Sequence, residues 1–285
     1  MLAITGATGQ LGRLVVAALL KSVPAAEIVA IVRDPAKAAD LAAKGVVVRQ
    51  GDYEAPASLE AALAGVDKLL LISSSEIGKR ATQHANVIAA AKRAGVKLVA
   101  YTSILHAATS PLDLAAEHKA TEELLAKAGV PHVLLRNGWY IENYLGSVPA
   151  ALEHGAFIGA AADGRIAAAS RQDYAEAAAA VLTAKDDQAG KVYELAGDTA
   201  FTMAELAAAT AKLSGKAIVY NELGEAAYKQ ALLGFGLPEP YAELYANSDA
   251  GAAKGGLFDN SRTLSRLIGR PTTPVADVLV SVIKR

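Results

Sequence analysis

The sequence predicts an α/β fold built on a doubly wound parallel sheet, and three observations carry that prediction. The chain opens on an apolar run, Leu2-Ala3-Ile4, that enters three glycines spaced three apart, Gly6, Gly9 and Gly12, with a helical pattern directly behind them. Strand-like and helix-like segments then alternate through the first 136 residues. Such alternation gives parallel strands joined by crossover helices. Finally, Gly45, Gly65, Gly95 and Gly129 each stand just before a strand-like run, where a helix terminates in a left-handed residue.

Taken in order, strands are expected at 2–5, 28–32, 46–49, 68–72, 98–102 and 132–135. Helices are expected between them at 11–21, 36–43, 57–64, 81–94 and 114–128. After Arg136 the rhythm loosens. A helix at 173–183, a strand at 192–195, a helix at 203–214 and a strand at 217–221 continue the alternation. The stretches 155–169, 234–240 and 251–259 read as irregular and are expected to form the walls and lid of a substrate cleft. The organisation that follows is a domain at 1–136 and a smaller, discontinuous C-terminal substrate-binding region at 137–285, with some of its segments returning to the first domain.

A buried strand that turns on glycine into a helix leaves unpaired backbone N–H groups aimed at one point. Bare amides and the helix dipole both favour an anion there. In a strand–turn–helix context this is the phosphate-binding fingerprint of a Rossmann-type sheet, here as G-x-x-G-x-x-G. The second strand of such a sheet ends beside the adenosine ribose. An acidic residue at that point selects NAD, and a basic one accommodates the 2′-phosphate of NADP. Ile28-Val29-Ala30-Ile31-Val32 is followed by Arg33 and then Asp34, so NADP is favoured while Asp34 keeps NAD open. The third strand ends at Asp52 and Tyr53, placed either to touch the base or to form a turn with a helix cap. The fourth ends at Ser73, Ser74 and Ser75, small hydroxyls that suit a ribose or merely a helix entry. The sixth ends at Arg136-Asn137-Gly138-Trp139-Tyr140-Ile141-Glu142-Asn143, which reads as a ligand crevice or as an aromatic plug.

Composition narrows the rest. The 285 residues carry a net charge of −1, which makes no electrostatic case for nucleic acid or an anionic membrane. No apolar run approaches the ~20 residues of a membrane span, and no leader is expected ahead of the first strand. The absence of cysteine excludes disulfides and thiolate chemistry and is compatible with the cytoplasm. The five histidines, at 84, 106, 118, 132 and 154, show no metal-ligand spacing, and His84 and His132 read as structural polar contacts. No phosphate loop ending in Gly-Lys-Ser/Thr and no G-x-S-x-G elbow occurs.

One expected motif is missing. Short-chain dehydrogenases commonly use Tyr-x-x-x-Lys to protonate the substrate oxygen, and no tyrosine here has lysine four residues on. Tyr101 lies within or at the end of the fifth strand and lacks that lysine, and Lys119 on the next helix is its nearest candidate partner. A ketone or sugar needs that donor, because its alkoxide is strongly basic. A quinone needs it far less, because hydride addition gives a phenolate, which can take its proton from water. The chemistry therefore points to an electron-poor conjugated acceptor, or to binding without turnover.

These residues together resemble the NmrA-like atypical short-chain dehydrogenases, and within them the NADPH:quinone oxidoreductase branch, with triphenylmethane reductase as a close relative. The likeness rests on Thr5-Gly6-Ala7-Thr8-Gly9-Gln10-Leu11-Gly12, on Arg33, on Gln83-His84-Ala85-Asn86-Val87-Ile88-Ala89-Ala90-Ala91-Lys92-Arg93-Ala94-Gly95-Val96-Lys97, on Leu135 through Asn143, and on Lys254-Gly255-Gly256-Leu257-Phe258-Asp259. It covers essentially the whole chain. The resemblance implies NADPH as hydride donor to a quinone, without flavin or metal. It implies that Gly6, Thr8, Gly9, Gln10 and Leu11 hold the pyrophosphate and Arg33 the 2′-phosphate. Ser73, Ser74 and Ser75, with Asn137, Gly138, Trp139, Tyr140, Ile141 and Glu142, would line the nicotinamide ribose and substrate side. Tyr140 and Asn143 are the candidates for orienting the acceptor. The family also contains redox sensors that bind dinucleotide without turnover.

Overall fold

The computed structural model describes residues 1–283, in two compact units. The first comprises Met1–Ile104, Glu117–Arg136 and Arg171–Tyr193, and the second Leu105–Ala116, Asn137–Ser170 and Glu194–Arg285.

The first unit is built as its alternating pattern predicts. In chain order it runs β1 (Leu2–Thr5), α1 (Gln10–Leu19), β2 (Ile28–Val32), α2 (Ala39–Ala42), β3 (Val47–Gln50), α3 (Pro56–Ala62), β4 (Lys68–Leu71), α4 (Arg80–Arg93) and β5 (Leu98–Ile104). Then come α5 (Leu114–Ala128) and β6 (His132–Asn137). The central sheet has the order β3-β2-β1-β4-β5-β6 and continues to an added seventh strand, β8 (Val192–Leu195). The pairs β1–β2, β1–β4, β2–β3 and β4–β5 all run parallel. The order reverses direction beside β1, which is the switch point where such sheets bind ligands. Strands β2 and β5 are buried along their whole length, as parallel strands covered on both faces must be. Ala3, Ile31, Leu59, Leu69, Val87, Val99 and Leu125 belong to one continuous core. Gly45, Gly65, Gly95 and Gly129 have φ between 68° and 84°, the left-handed conformation expected of helix ends.

The remaining elements are α6 (Glu142–Leu145), α7 (Val148–His154), β7 (Ala156–Gly159), α8 (Arg171–Thr183), β8 (Val192–Leu195) and α9 (Met203–Ser214). They are followed by β9 (Val219–Glu222), α10 (Glu225–Gly234), α11 (Glu239–Ala253), α12 (Thr263–Ile268) and α13 (Val275–Ile283). Helix α8 belongs to the first unit and packs on α1. In the second unit β7 and β9 form a separate parallel pair. Helix α9 starts on a reciprocal cap in which Thr202 Oγ1 accepts from the Glu205 amide and Glu205 Oε2 from the Thr202 amide.

Four expectations are corrected. The stretch 155–169 contains β7, whose four residues follow Gly155 at φ 75° and are too short to show an alternating pattern. The stretch 234–240 is the turn between α10 and α11, and both helices were hidden by Gly234, Gly236 and Pro238. Gly251 lies inside α11 rather than in a loop. A Cβ there would come within 2.7 Å of the Leu112 side chain, so glycine serves packing and not a turn. The helix expected at 36–43 is also divided, into a 3-10 turn at Pro35–Ala38 and the single turn of α2. Among the described residues no helix is long and apolar enough to cross a membrane.

Candidate functional site

The glycines shape the turn between β1 and α1. Gly6 has φ +59°, which an L side chain rarely adopts, and its carbonyl accepts from the Gly9 amide at 2.9 Å. A Cβ on Gly12 would stand 2.3 Å from the Gly6 carbonyl oxygen and 2.7 Å from Ala7 Cα, so α1 packs directly on the turn. Gly9 is the N-cap residue of α1, and no side chain caps the helix there. The first amides of a ten-residue helix are thus left for an anion, at the positive end of its dipole.

This turn forms one wall of a cleft of about 850 Å³. Every residue around it belongs to the first unit. The structure brings together there Gly6, Thr8, Gly9, Gln10 and Leu11, together with Arg33, Ser73, Ser74 and Ser75. Gly12, Arg13, Lys37, Asp52, Tyr53, Glu76 and Gln83 also line it. Of these, Gly12 and Lys37 carried a readable signal, as the third glycine of the turn and as a second cation after β2. Glu76 carried none, and Gln83 entered only in the run that carries the family likeness.

Arg33 projects into solvent and pairs with Glu76 at 3.3 Å, a contact worth little at such exposure. Asp34, the rival NAD ligand, accepts from the Ala36 amide at 3.0 Å and caps the following 3-10 turn. One oxygen of its carboxylate serves that cap, while Arg33 carries the guanidinium charge that suits a phosphate. Arg13 is tied to Asp40 and to the Lys37 carbonyl, and so braces the same corner.

The residues after the third strand line the cleft and also make structural hydrogen bonds. Asp52 Oδ1 accepts from the Glu54 amide at 3.0 Å, closing a turn. The Tyr53 hydroxyl bonds to Thr5 Oγ1 and to the Ile72 carbonyl, which ties β3 to the ends of β1 and β4. Burial pushes its pKa upward.

Tyr101 lies within β5, fully buried, and is not part of the cleft wall. Its hydroxyl bonds to His118 Nδ1 at 2.8 Å, and burial raises its pKa. Lys119 is exposed on α5. Neither residue is placed to act as a proton donor in the cleft.

In the second unit the run after β6 is held by backbone bonds. The Gly138 amide donates to the Leu195 carbonyl at 2.7 Å, and Trp139 and Ile141 flank Ala169 through bonds of 3.1 and 3.0 Å. Trp139 and Ile141 are buried, while Tyr140, Glu142 and Asn143 are half-buried. Asn137 is buried, and its Oδ1 has no hydrogen-bond partner among the described residues. An unpaired buried acceptor costs about 1–3 kcal/mol, so it marks a position suited to a ligand's donor.

The cleft fits a dinucleotide carrying a 2′-phosphate. It has a glycine cradle that a Cβ would crowd, a bare helix start, and cations at the end of β2.

The NmrA-like family model matches residues 1–267. The chain is 62% identical to quinone oxidoreductase 2 of Escherichia coli (strain K12) over 277 residues, 97% of this chain and 96% of that protein. A crystal structure of an Escherichia coli NADPH-dependent quinone oxidoreductase complexed with NADPH superposes with a TM-score of 0.97 and 62% identity, covering 99% of each chain. Citrobacter sp. triphenylmethane reductase complexed with NADP(H) gives a TM-score of 0.94 at 40% identity, covering 99% of this chain and 100% of that one. The chain belongs to the NmrA-like family.

Proposed function

We propose that this protein is an NADPH-dependent quinone oxidoreductase that works without flavin or metal. The observation that carries the reading is the glycine turn at the start of α1, opening on a cleft that Arg33 and the serines after β4 also line. The similarity to quinone oxidoreductase 2 over nearly the full length supports it. Gly6, Thr8, Gly9, Gln10 and Leu11 hold the pyrophosphate with backbone amides. Arg33 selects the 2′-phosphate, and Ser73, Ser74 and Ser75 face the nicotinamide ribose. In the second unit, Asn137, Gly138, Trp139, Tyr140, Ile141 and Glu142 are the candidates for the nicotinamide and substrate side. Tyr140 and Asn143 orient the acceptor. Bound NADPH supplies the hydride. The protein's part is to hold donor and acceptor in register, a contribution of proximity rather than of acid catalysis. The cytoplasmic setting expected of the cysteine-free composition belongs to the same proposal.

The fate of Tyr101 supports a quinone as acceptor. Its hydroxyl is committed to His118 in the core, so the usual protein acid is missing, and a phenolate product does not require one. Tyr101→Phe and Lys119→Ala are each expected to leave kcat for quinone within a few-fold of the parent. Where general acid catalysis operates it contributes about 10²–10⁴-fold, so the two outcomes are well separated. Tyr140→Ala and Asn143→Ala are expected to lower kcat/KM more than either. Steady-state kinetics on the four variants tests this. A hundred-fold loss in Tyr101→Phe, or brisk reduction of a saturated ketone, would show a proton donor that the reading omits.

A further inference from the structure

We propose that His84 and Arg80 are positioning residues that clamp the backbone of Ser74 and so set the loop that faces the cofactor, resting on the reading that this loop holds the nicotinamide ribose. The Ser74 amide donates to His84 Nε2 at 2.9 Å. The Ser74 carbonyl accepts from Arg80 Nε at 2.5 Å. The two peptide planes on either side of Ser74 are therefore each gripped by a side chain of α4.

The grip has a fixed polarity. Because Nε2 accepts, the proton of the imidazole sits on Nδ1, which donates to Thr121 Oγ1 at 2.9 Å. The Thr121 hydroxyl in turn donates to the Glu117 carbonyl at 3.0 Å. The Glu117 carboxylate accepts from the Gly78 amide at 3.0 Å, where the loop turns through φ +83°, and pairs with Arg80 at 3.4 Å. Burial and the neighbouring guanidinium hold the His84 pKa down at about 3, so the ring stays neutral and able to accept.

Core packing alone does not call for this arrangement. Ser74 is only half-buried, so water could serve its peptide groups. Two buried polar side chains serve them instead, although burying a guanidinium and an imidazole is costly. What they add is position. The effect reaches the other end of the cleft, because Ser74 Oγ accepts from the Glu76 amide at 3.1 Å and Glu76 pairs with Arg33. The same Ser74 thus places a serine toward the ribose and a carboxylate against the residue that reads the 2′-phosphate.

The test contrasts two amides at one position. His84→Gln puts an acceptor where Nε2 stands, whereas His84→Asn reaches only the Nδ1 position and leaves the Ser74 amide without a partner. NADPH affinity is read by fluorescence titration and stability by thermal unfolding. His84→Gln is expected to keep the NADPH Kd within about three-fold of the parent and His84→Asn to raise it about ten-fold, at comparable unfolding temperatures. Equal affinities in the two variants would overturn the clamp. Should His84→Asn not fold, Thr121→Val carries the test. It frees Nδ1 without touching the cleft and is expected to weaken NADPH about three-fold or more, and an unchanged Kd overturns the proposal. If the parent itself fails to bind NADPH, the cofactor reading falls and the clamp with it. If the parent binds normally and the variants do not differ, the clamp alone falls.

Discussion

Gly9→Val is expected to abolish measurable NADPH binding while far-ultraviolet circular dichroism stays native. Gly9 has φ −73° and ψ 170°, an extended conformation open to any residue, so valine introduces no backbone strain. Its Cβ would lie 3.1 Å from the Gly6 carbonyl oxygen, tight but within reach of a small adjustment. The added methyls would instead occupy the start of α1, where the bare amides must meet the pyrophosphate. Gly12 is the contrasting case. A Cβ there runs into backbone at 2.3 Å, and the same substitution would damage the fold itself. Isothermal calorimetry checks the effect at Gly9. A folded Gly9→Val protein that binds NADPH as the parent does would place the phosphates elsewhere.

Arg33→Ala is expected to weaken NADPH about ten- to a hundred-fold and to leave NADH nearly unchanged. The loss corresponds to one charge-assisted contact, about 1.5–3 kcal/mol. Fold stability should hardly move, because Arg33 is 72% exposed and touches only Glu76 through its charge. The ratio of the two dissociation constants is therefore a clean readout. An unchanged ratio would remove Arg33 from the 2′-phosphate and make Asp34 the residue to test.

The first unit was legible because its signals are local. An apolar run, a glycine spacing and a left-handed helix end each act within a few residues, and β1, β2, α4 and the cleft's glycine wall follow from them. The second unit was less legible because its elements are decided by distant partners. Gly251 looks like a loop residue until Leu112 is found against it. Strand β7 is four residues long and gains its ladder only from β9. At the site, Arg33, the glycines and the serines were readable as chemistry at strand ends. Tyr53 and Asp52 were open between ligand contact and turn, and their hydrogen bonds favour structure. Arg80 gave no sign in the sequence, and His84 read only as a structural contact. The bonds of both to Ser74 span six and ten residues and depend on how α4 sits against the end of β4.

The central claim is that hydride passes from NADPH to a quinone on this chain without a flavin or a metal. The most direct measurement mixes chelator-treated, flavin-free protein with NADPH and a simple benzoquinone and follows the near-ultraviolet absorbance of NADPH. The account predicts catalytic oxidation, one NADPH consumed for each hydroquinone formed, with no stimulation by added flavin or metal ions. Tight NADPH binding with no oxidation above the protein-free rate would contradict it, and would describe a dinucleotide sensor instead of an enzyme.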